Sequence, residues 1–236
     1  MSTRYERILS ANMKGGKSPT GMHAGGRGSG LGPAAERMST VINRANRQGI
    51  TLIGGEEVSG VQVRRVIERH SLWMPIVATP NDEWPNGATL GNVLFLHRPS
   101  WVLDEHAEIE VPTSFGSLHF VDAILRHCGT SRQLRAIVGH QPAGRRTPAQ
   151  RARSQCEADV RMAIKGERLP VALLFDFNTP HAFRGWDGAR HKVDAALVRG
   201  LPTSKPRVHA GFNRPGPRKV SDHAGVSVRI DLARPW

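Results

Sequence analysis

The sequence predicts an α+β fold, two packed sheets with helices outside, and three observations carry that prediction. Apolar runs of strand length, bounded by Pro, Gly or charged residues, outnumber the stretches with helical spacing. Most neighbouring runs are joined by turn-length segments, as sheets require. The run "LPVALLF", Leu169 to Phe175, shows no alternation of apolar and polar residues, which is the pattern of a central strand covered on both faces. At 236 residues the chain is expected to form one domain, residues 1–236.

The elements follow in order. "YERILSANM" reads as a strand ending at Asn12, and Lys14 to Pro33 is so rich in Gly and Lys/Arg that it reads as a loop. Met38, Val41, Ile42 and Ala45 recur at helical spacing between Ala34 and Gln48, with Gly49 as the stop. "ITLIGGEEVS" is a buried strand ending in acids, followed by a short helix near Val61 to Arg69. Strands then fall at "LWMPIVAT", "GNVLFLH", "AEIEV", "SLHFVDAIL" and "LRAIVGH", with a turn-rich stretch around "PNDEWPNG". Thr147-Pro148 has the composition of an N-cap and first turn, opening a helix whose apolar face is Cys156, Val160, Ala163 and Ile164. After the strand ending at Asp176 come "HKVDAALVRG", "KPRVHAGF" and "GVSVRIDL", the last alternating through Val226, Val228, Ile230 and Leu232.

Bulk properties exclude several classes. No stretch of about 18 apolar residues is present to span a bilayer, and the N-terminus has no apolar core of the signal-peptide kind, so a cytoplasmic protein with no membrane partner is expected. Cys128 and Cys156 lack metal-ligand or redox spacing and are expected to be small buried apolar residues. The formal charge of +13 is concentrated in two segments: Arg126 to Arg168 holds ten bases against three acids, and Lys205 to Lys219 holds five bases and no acid. A polyanionic partner fits that distribution.

The informative residues are polar ones at strand ends. Asn12, Glu57, His140, Asp176 with Asn178, and Asp222 with His223 each stand at or just past the end of an apolar segment, or in the approach to the last strand. Strand ends along one edge of a sandwich converge in space, so these side chains are candidates for one pocket. Such side chains gathered in one pocket can neutralise charge and activate a water. Carboxylates with an amide suit a hard divalent cation that keeps several of its waters.

Taken together, "LIGGEEVS", "AIVGHQPAG", "LLFDFNTP", "HKVDAALV" and the terminal "SDHAGVSV", with Asn12 closing the first strand, resemble the endonuclease/exonuclease/phosphatase superfamily, the deoxyribonuclease-I-like proteins, over nearly the whole chain. The resemblance implies a four-layer α/β/β/α sandwich of two mostly antiparallel sheets. It implies Mg²⁺ or Mn²⁺ held by Asn12, Glu57 and Asp222, and catalytic roles for His140, Asp176, Asn178, Asp194 and His223. In it Asp176 and Asn178 position water or phosphate, His140 donates to the phosphate, and His223 is the acid/base with Asp194 as its orienter. Two departures stand out: Phe175 replaces a Gly before Asp176, and Glu56 replaces a Gln before Glu57, an extra carboxylate expected to point to the other face of the strand. His181, three residues past Asn178, is the remaining histidine to follow.

Both basic segments flank the candidate site along the chain, which favours a nuclease of low sequence specificity whose backbone contacts include Arg145, Arg146, Arg151, Arg214, Arg218 and Lys219. Nucleic acid is therefore the expected partner, DNA ahead of RNA, with no protein partner inferred. The competing readings are a phosphatase or phosphodiesterase acting on a small or lipid phosphoester, and a catalytically inert nucleic-acid-binding relative.

Overall fold

The computed structural model describes residues 4–13, 34–79, 90–114, 116–144, 146–180, 182–210, 221 and 223–233. Their elements run β1 (Tyr5–Asn12), α1 (Ala34–Gln48), β2 (Ile50–Ser59), α2 (Gly60–Arg69), β3 (Trp73–Val77), β4 (Leu90–His97), β5 (Trp101–Thr113), β6 (Gly116–His127), β7 (Gln133–His140), α3 (Thr147–Ala163), β8 (Val171–Asp176), β9 (Asp187–His191), β10 (Asp194–Arg199), β11 (Thr203–His209) and β12 (Gly225–Asp231). They form two six-stranded sheets, in the orders β11-β12-β1-β2-β4-β3 and β5-β6-β7-β8-β10-β9.

Each sheet is antiparallel except for one central pair, β1 with β2 and β7 with β8. A parallel pair needs a crossover connection, and α1 and α3 lie between the strands of these two pairs in sequence. The C-terminal ends of all four central strands therefore carry Asn12, Ser59, His140 and Asp176.

Three apolar layers hold the sandwich together. Ile8, Leu52 and Leu94 of the first sheet meet Val121, Val138 and Leu174 of the second in the middle layer. Gly54 marks how closely the sheets approach there, since a Cβ on it would stand 2.4 Å from the Leu174 Cβ. Met38, Val41 and Ile42 of α1 cover Leu9, Ile53 and Phe95 on one outer face. Cys156 and Val160 of α3, with Ile164 just past its end, cover Ile137, Leu173 and Phe175 on the other. The arrangement is the expected sandwich with helices outside.

Four expectations need correction. The strand read at "AEIEV" extends over all of Trp101–Thr113, and β9 carries no strand signal in the sequence. Both are edge strands, largely exposed, so burial imposes no apolar pattern on them. The N-cap of α3 is Arg146 in an extended conformation, with Thr147 and Pro148 already inside the first turn. Cys156 is buried as expected, but Cys128 is exposed in the turn after β6. The basic segment from Arg126 to Arg168 is also less available than its net charge suggests: Arg126 pairs with Asp104, Arg161 with Glu157, and Arg135 with both Asp122 and Glu167.

Candidate active site

Strand direction explains why residues scattered over the sequence meet. Asn12 ends β1 and Glu57 lies near the end of β2, while His140 and Asp176 end the adjacent strands β7 and β8 in register with each other. Asp194 begins β10, which is antiparallel to β8, so it stands beside Asp176. His223 precedes β12, which is antiparallel to β1, so it arrives at the same end.

The hydrogen bonds join these groups across the two sheets. The Asn12 amide nitrogen donates to Asp176 Oδ2 at 2.9 Å and to Glu57 Oε1 at 3.2 Å. Asp176 Oδ1 accepts the backbone N–H of Asn178 at 3.0 Å, a turn that holds Asn178 in the left-handed region with φ 49°. The Asn178 amide nitrogen donates to the Gln141 carbonyl at 2.7 Å, which fixes the amide's orientation, and it also lies 3.0 Å from His140 Nε2. A neutral His140 therefore accepts at Nε2 and carries its proton on Nδ1. Its Nε2 is 3.5 Å from Asp176 Oδ2 and 3.7 Å from Glu57 Oε1.

His223 Nδ1 sits 2.9 and 3.1 Å from the two oxygens of Asp194 and 3.7 Å from Asp176 Oδ2. Nδ1–H donating to Asp194 leaves Nε2 as the basic nitrogen, the geometry of a histidine held in one tautomer for proton transfer. Burial raises the Asp194 pKa, against the lowering effect of its bond to His223. Ligand atoms of Asp176, Asp194 and His223 lie within 4.8 Å of one another, close enough to hold a metal. The 2.9 Å bond already occupies His223 Nδ1, so the chemistry of the trio favours an acid/base unit over a coordination shell.

The two adjacent glutamates are separated by backbone geometry. Regular alternation would send Glu57 to the face opposite Glu56. A bulge between Gly55 and Val58, with Glu57 at φ 52°, turns its side chain back to Asn12 and His140. Glu56 does not turn away from the sheet interface as expected. It lies fully buried in the site's floor, where Ser10 Oγ donates to Oε1 at 2.9 Å and Oε2 has no partner among the described residues. Burial first, then the charges of Asp194 and Asp176, push its pKa well up, so it is held as the neutral acid. Phe175, the other departure, points outward, stacked on Phe177 at 4.8 Å, and leaves the Asp176 carboxylate in the site.

Of the sequence candidates, Asn12, Glu57, His140, Asp176, Asn178, Asp194 and His223 come together. Arg146 and Arg151 are exposed at the start of α3, just after the His140 turn. Asp222, Arg145, Arg214, Arg218, Lys219 and His181 lie outside the described residues. Sequence reasoning missed Ser10 and the floor role of Glu56. It also missed Gln141, whose backbone bridges Asp176 and Asn178 while both polar atoms of its buried side chain lack partners among the described residues. Only a Gln following the His140 motif was there to signal it.

No family model and no curated protein sequence matches the chain. Solved structures do. An endonuclease/exonuclease/phosphatase from Bacteroides vulgatus is 15% identical, with 97% of this chain and 99% of that one covered at a TM-score of 0.71. D. rerio TDP2 complexed with a single-strand DNA product is 12% identical, with coverage of 96% and 98% and a TM-score of 0.71. A mannosyl-6-phosphatase from Bacteroides thetaiotaomicron is 11% identical, with coverage of 95% and 99% and a TM-score of 0.69. The fold is thus that of the endonuclease/exonuclease/phosphatase proteins, in agreement with the resemblance read from the strand-end motifs.

Proposed function

We propose that the chain is a divalent-metal-dependent phosphodiesterase, and within that class a nuclease of low sequence specificity acting on nucleic-acid backbone, DNA ahead of RNA. One observation carries the reading: Asn12, Glu57, His140, Asp176, Asn178, Asp194 and His223 converge from both sheets into one hydrogen-bonded cluster.

The donor set fits a hard cation, since Glu57 and Asp176 present carboxylate oxygens on either side of the Asn12 amide. Glu57 with Asn12 would hold Mg²⁺ or Mn²⁺, and Asp222 is the further candidate by its place in the Ser-Asp-His motif. Such an ion supplies positive charge against the phosphate oxygens and makes a bound water more acidic. The chain's own residues do the rest. Asn178 and His140 donate to phosphate oxygens. Asp176 orients the attacking water. As the water oxygen bonds to phosphorus and the ester P–O bond breaks, His223 Nε2 handles the proton that one oxygen loses and the other gains. Asp194 keeps that ring in the required tautomer at 2.9 Å.

The nuclease assignment rests on exposed Arg146 and Arg151 beside the His140 turn. The fold by itself does not choose a substrate, as a mannosyl-6-phosphatase and a DNA-bound TDP2 share it. The test is hydrolysis of plasmid, linear duplex, single-stranded DNA, RNA and small phosphomonoesters with Mg²⁺, Mn²⁺ or EDTA. Cleavage of nucleic acid that EDTA abolishes and that Glu57→Gln removes at limiting Mg²⁺ is the expected result. Turnover of a phosphomonoester that competitor DNA fails to suppress would reassign the site to small substrates. Nucleic-acid binding without metal-dependent product would make the chain an inert relative.

A further inference from the structure

The first sheet has a second polar feature, far from the strand-end cluster and on its other face. Ile8, Ser10 and Asn12 of β1 face the second sheet, so Arg7 faces outward, and its partner across the antiparallel ladder is Arg229 of β12. Arg207 of β11 stands opposite Ser227, one pair further along that face. Helix α1 covers Leu9 and Ile53 and ends at Gln48, beside the outward-facing bases of β1, β11 and β12. An open pocket of about 330 Å³ occupies that place, lined among others by Arg4, Arg7, Gln48, Lys205, Arg207 and Arg229. Arg7 is five residues from Asn12, or about 16 Å along the strand.

Arg4 is paired with Asp231 at 2.7 Å. Glu6, the acid in the lining, has its oxygens engaged by Thr51 and His127 on the inner side. Among the described residues, Arg7, Lys205, Arg207 and Arg229 have no carboxylate within ion-pair distance. Arg7 is only 7% exposed, and its Nη1 is held by uncharged acceptors, the Lys205 carbonyl at 3.0 Å and Ser227 Oγ at 3.2 Å. The Arg229 guanidinium is set in place over the Tyr5 ring, 3.9 Å from its centroid. Burial, then the charges of Arg207 and Arg229, lower the Arg7 pKa. Neighbouring His209 is pushed down to about 4 by burial and by Arg7, Arg207 and Arg44, so its ring is neutral at physiological pH.

Four cations share one concavity with no carboxylate among the described residues to pair with them, and a bound anion would relieve their mutual repulsion. We infer that this pocket is an anion-binding site, separate from the strand-end cluster, for a compact ligand bearing two or more phosphoryl groups. The guanidiniums offer the forked donors that phosphate oxygens accept in pairs. The volume is at the lower end of small-ligand pockets. A pocket of this size suits a short polyphosphate chain or the phosphate tail of a nucleotide, whereas a nucleic-acid backbone needs an extended groove. The inference does not depend on the phosphodiesterase reading, since no residue is shared between the two sites.

The test is calorimetric titration of the full chain with inorganic tripolyphosphate in EDTA, which removes metal-assisted binding at the strand-end cluster. Saturable one-site binding is expected, weakened roughly tenfold or more by Arg207→Ala/Arg229→Ala through loss of two charge-assisted contacts. The variant His140→Ala/His223→Ala should bind tripolyphosphate as the parent does. Arg207→Glu alone, at an exposed position, provides a second reading of the pocket if the double variant melts at a lower temperature. The inference is overturned if tripolyphosphate does not bind, if neither pocket variant weakens it, or if the strand-end variant abolishes it. It is equally overturned if a single-stranded oligonucleotide needs the two arginines while tripolyphosphate does not, which would make this face a nucleic-acid contact.

Discussion

At the scale of single residues, Glu56 and Asp194 show how burial sets the chemistry of a carboxyl group. Glu56 stands next to Glu57 in sequence, yet full burial beneath Asp176 and Asp194 keeps its proton on while Glu57 faces the site opening. Its folded-state pKa is raised, so the folded chain holds a proton where the unfolded chain has lost it. The corresponding stability is fully present below the ordinary value of 4.5 and is lost as pH rises through the raised folded-state value. Glu56→Gln keeps the shape of the neutral acid and removes the titration. Denaturant unfolding at a series of pH values should show the parent losing stability relative to Glu56→Gln as pH rises above that ordinary range; parallel curves would mean that Glu56 is ionised in the folded state. In the proposed reaction Asp194 acts through His223, whose Nδ1 it holds at 2.9 Å. Asp194→Asn should lower kcat by on the order of a hundredfold or more, as expected for impaired acid/base catalysis, with little change in KM. A change confined to KM would reassign Asp194 to substrate binding.

At the scale of elements, the site is made by irregularities in otherwise ordinary strands. The bulge in β2 reverses one side chain, and without it Glu57 would face α1 and α2 instead of Asn12. In β8 the Phe175 ring is accommodated by the strand beside it: Gly139 is its register partner on β7, and a Cβ there would meet ring atoms at 2.4 and 2.5 Å and Phe120 at 2.9 Å. The bulky residue before Asp176 is therefore possible because its neighbour has no side chain. Gly139→Ala should cost about 1–3 kcal/mol by overpacking, read from the denaturation midpoint, and should depress activity because Gly139 adjoins His140 and Phe175 adjoins Asp176. Adding Phe175→Leu should recover much of the stability. Additive losses in the double variant would show that the ring and the glycine are not coupled.

For the whole molecule, the two sheets supply different halves of the candidate site, and neither half is complete alone. The first brings Asn12, Glu57 and His223; the second brings His140, Asp176, Asn178 and Asp194. Much of the positive charge is spent on holding the fold, since Arg135 alone ties β7 to Asp122 of β6, to Glu167 and to the Ala163 carbonyl. The bases available beside the site include Arg146 and Arg151. If both engage phosphates, Arg146→Ala/Arg151→Ala should flatten the dependence of log K on log salt by about 1.4 to 1.8, equally for unrelated sequences. Hydrolysis of a nitrophenyl phosphodiester should be nearly unchanged. An unaltered slope would move the nucleic-acid path away from α3.

Sequence alone determined what depends on neighbours along the chain. The unbroken run before Asp176 had to be a central strand, the alternation of Val226, Val228, Ile230 and Leu232 had to bury one face of β12, and the polar residues closing these segments marked the site end. Those signals are local, because burial on one or both faces of a strand is written into each segment separately. What crosses between strands was not legible. The edge strands β5 and β9 are largely exposed, so burial writes no continuous apolar pattern into them. The inward turn of Glu57 depends on a bulge against β4, and the neutral state of Glu56 depends first on its burial between the sheets and then on carboxylates from the opposite sheet. Arg7, Arg207 and Arg229 become one cluster only when β11, β12 and β1 align, since residues some 200 positions apart share a face through ladder register and not through any repeat in the sequence.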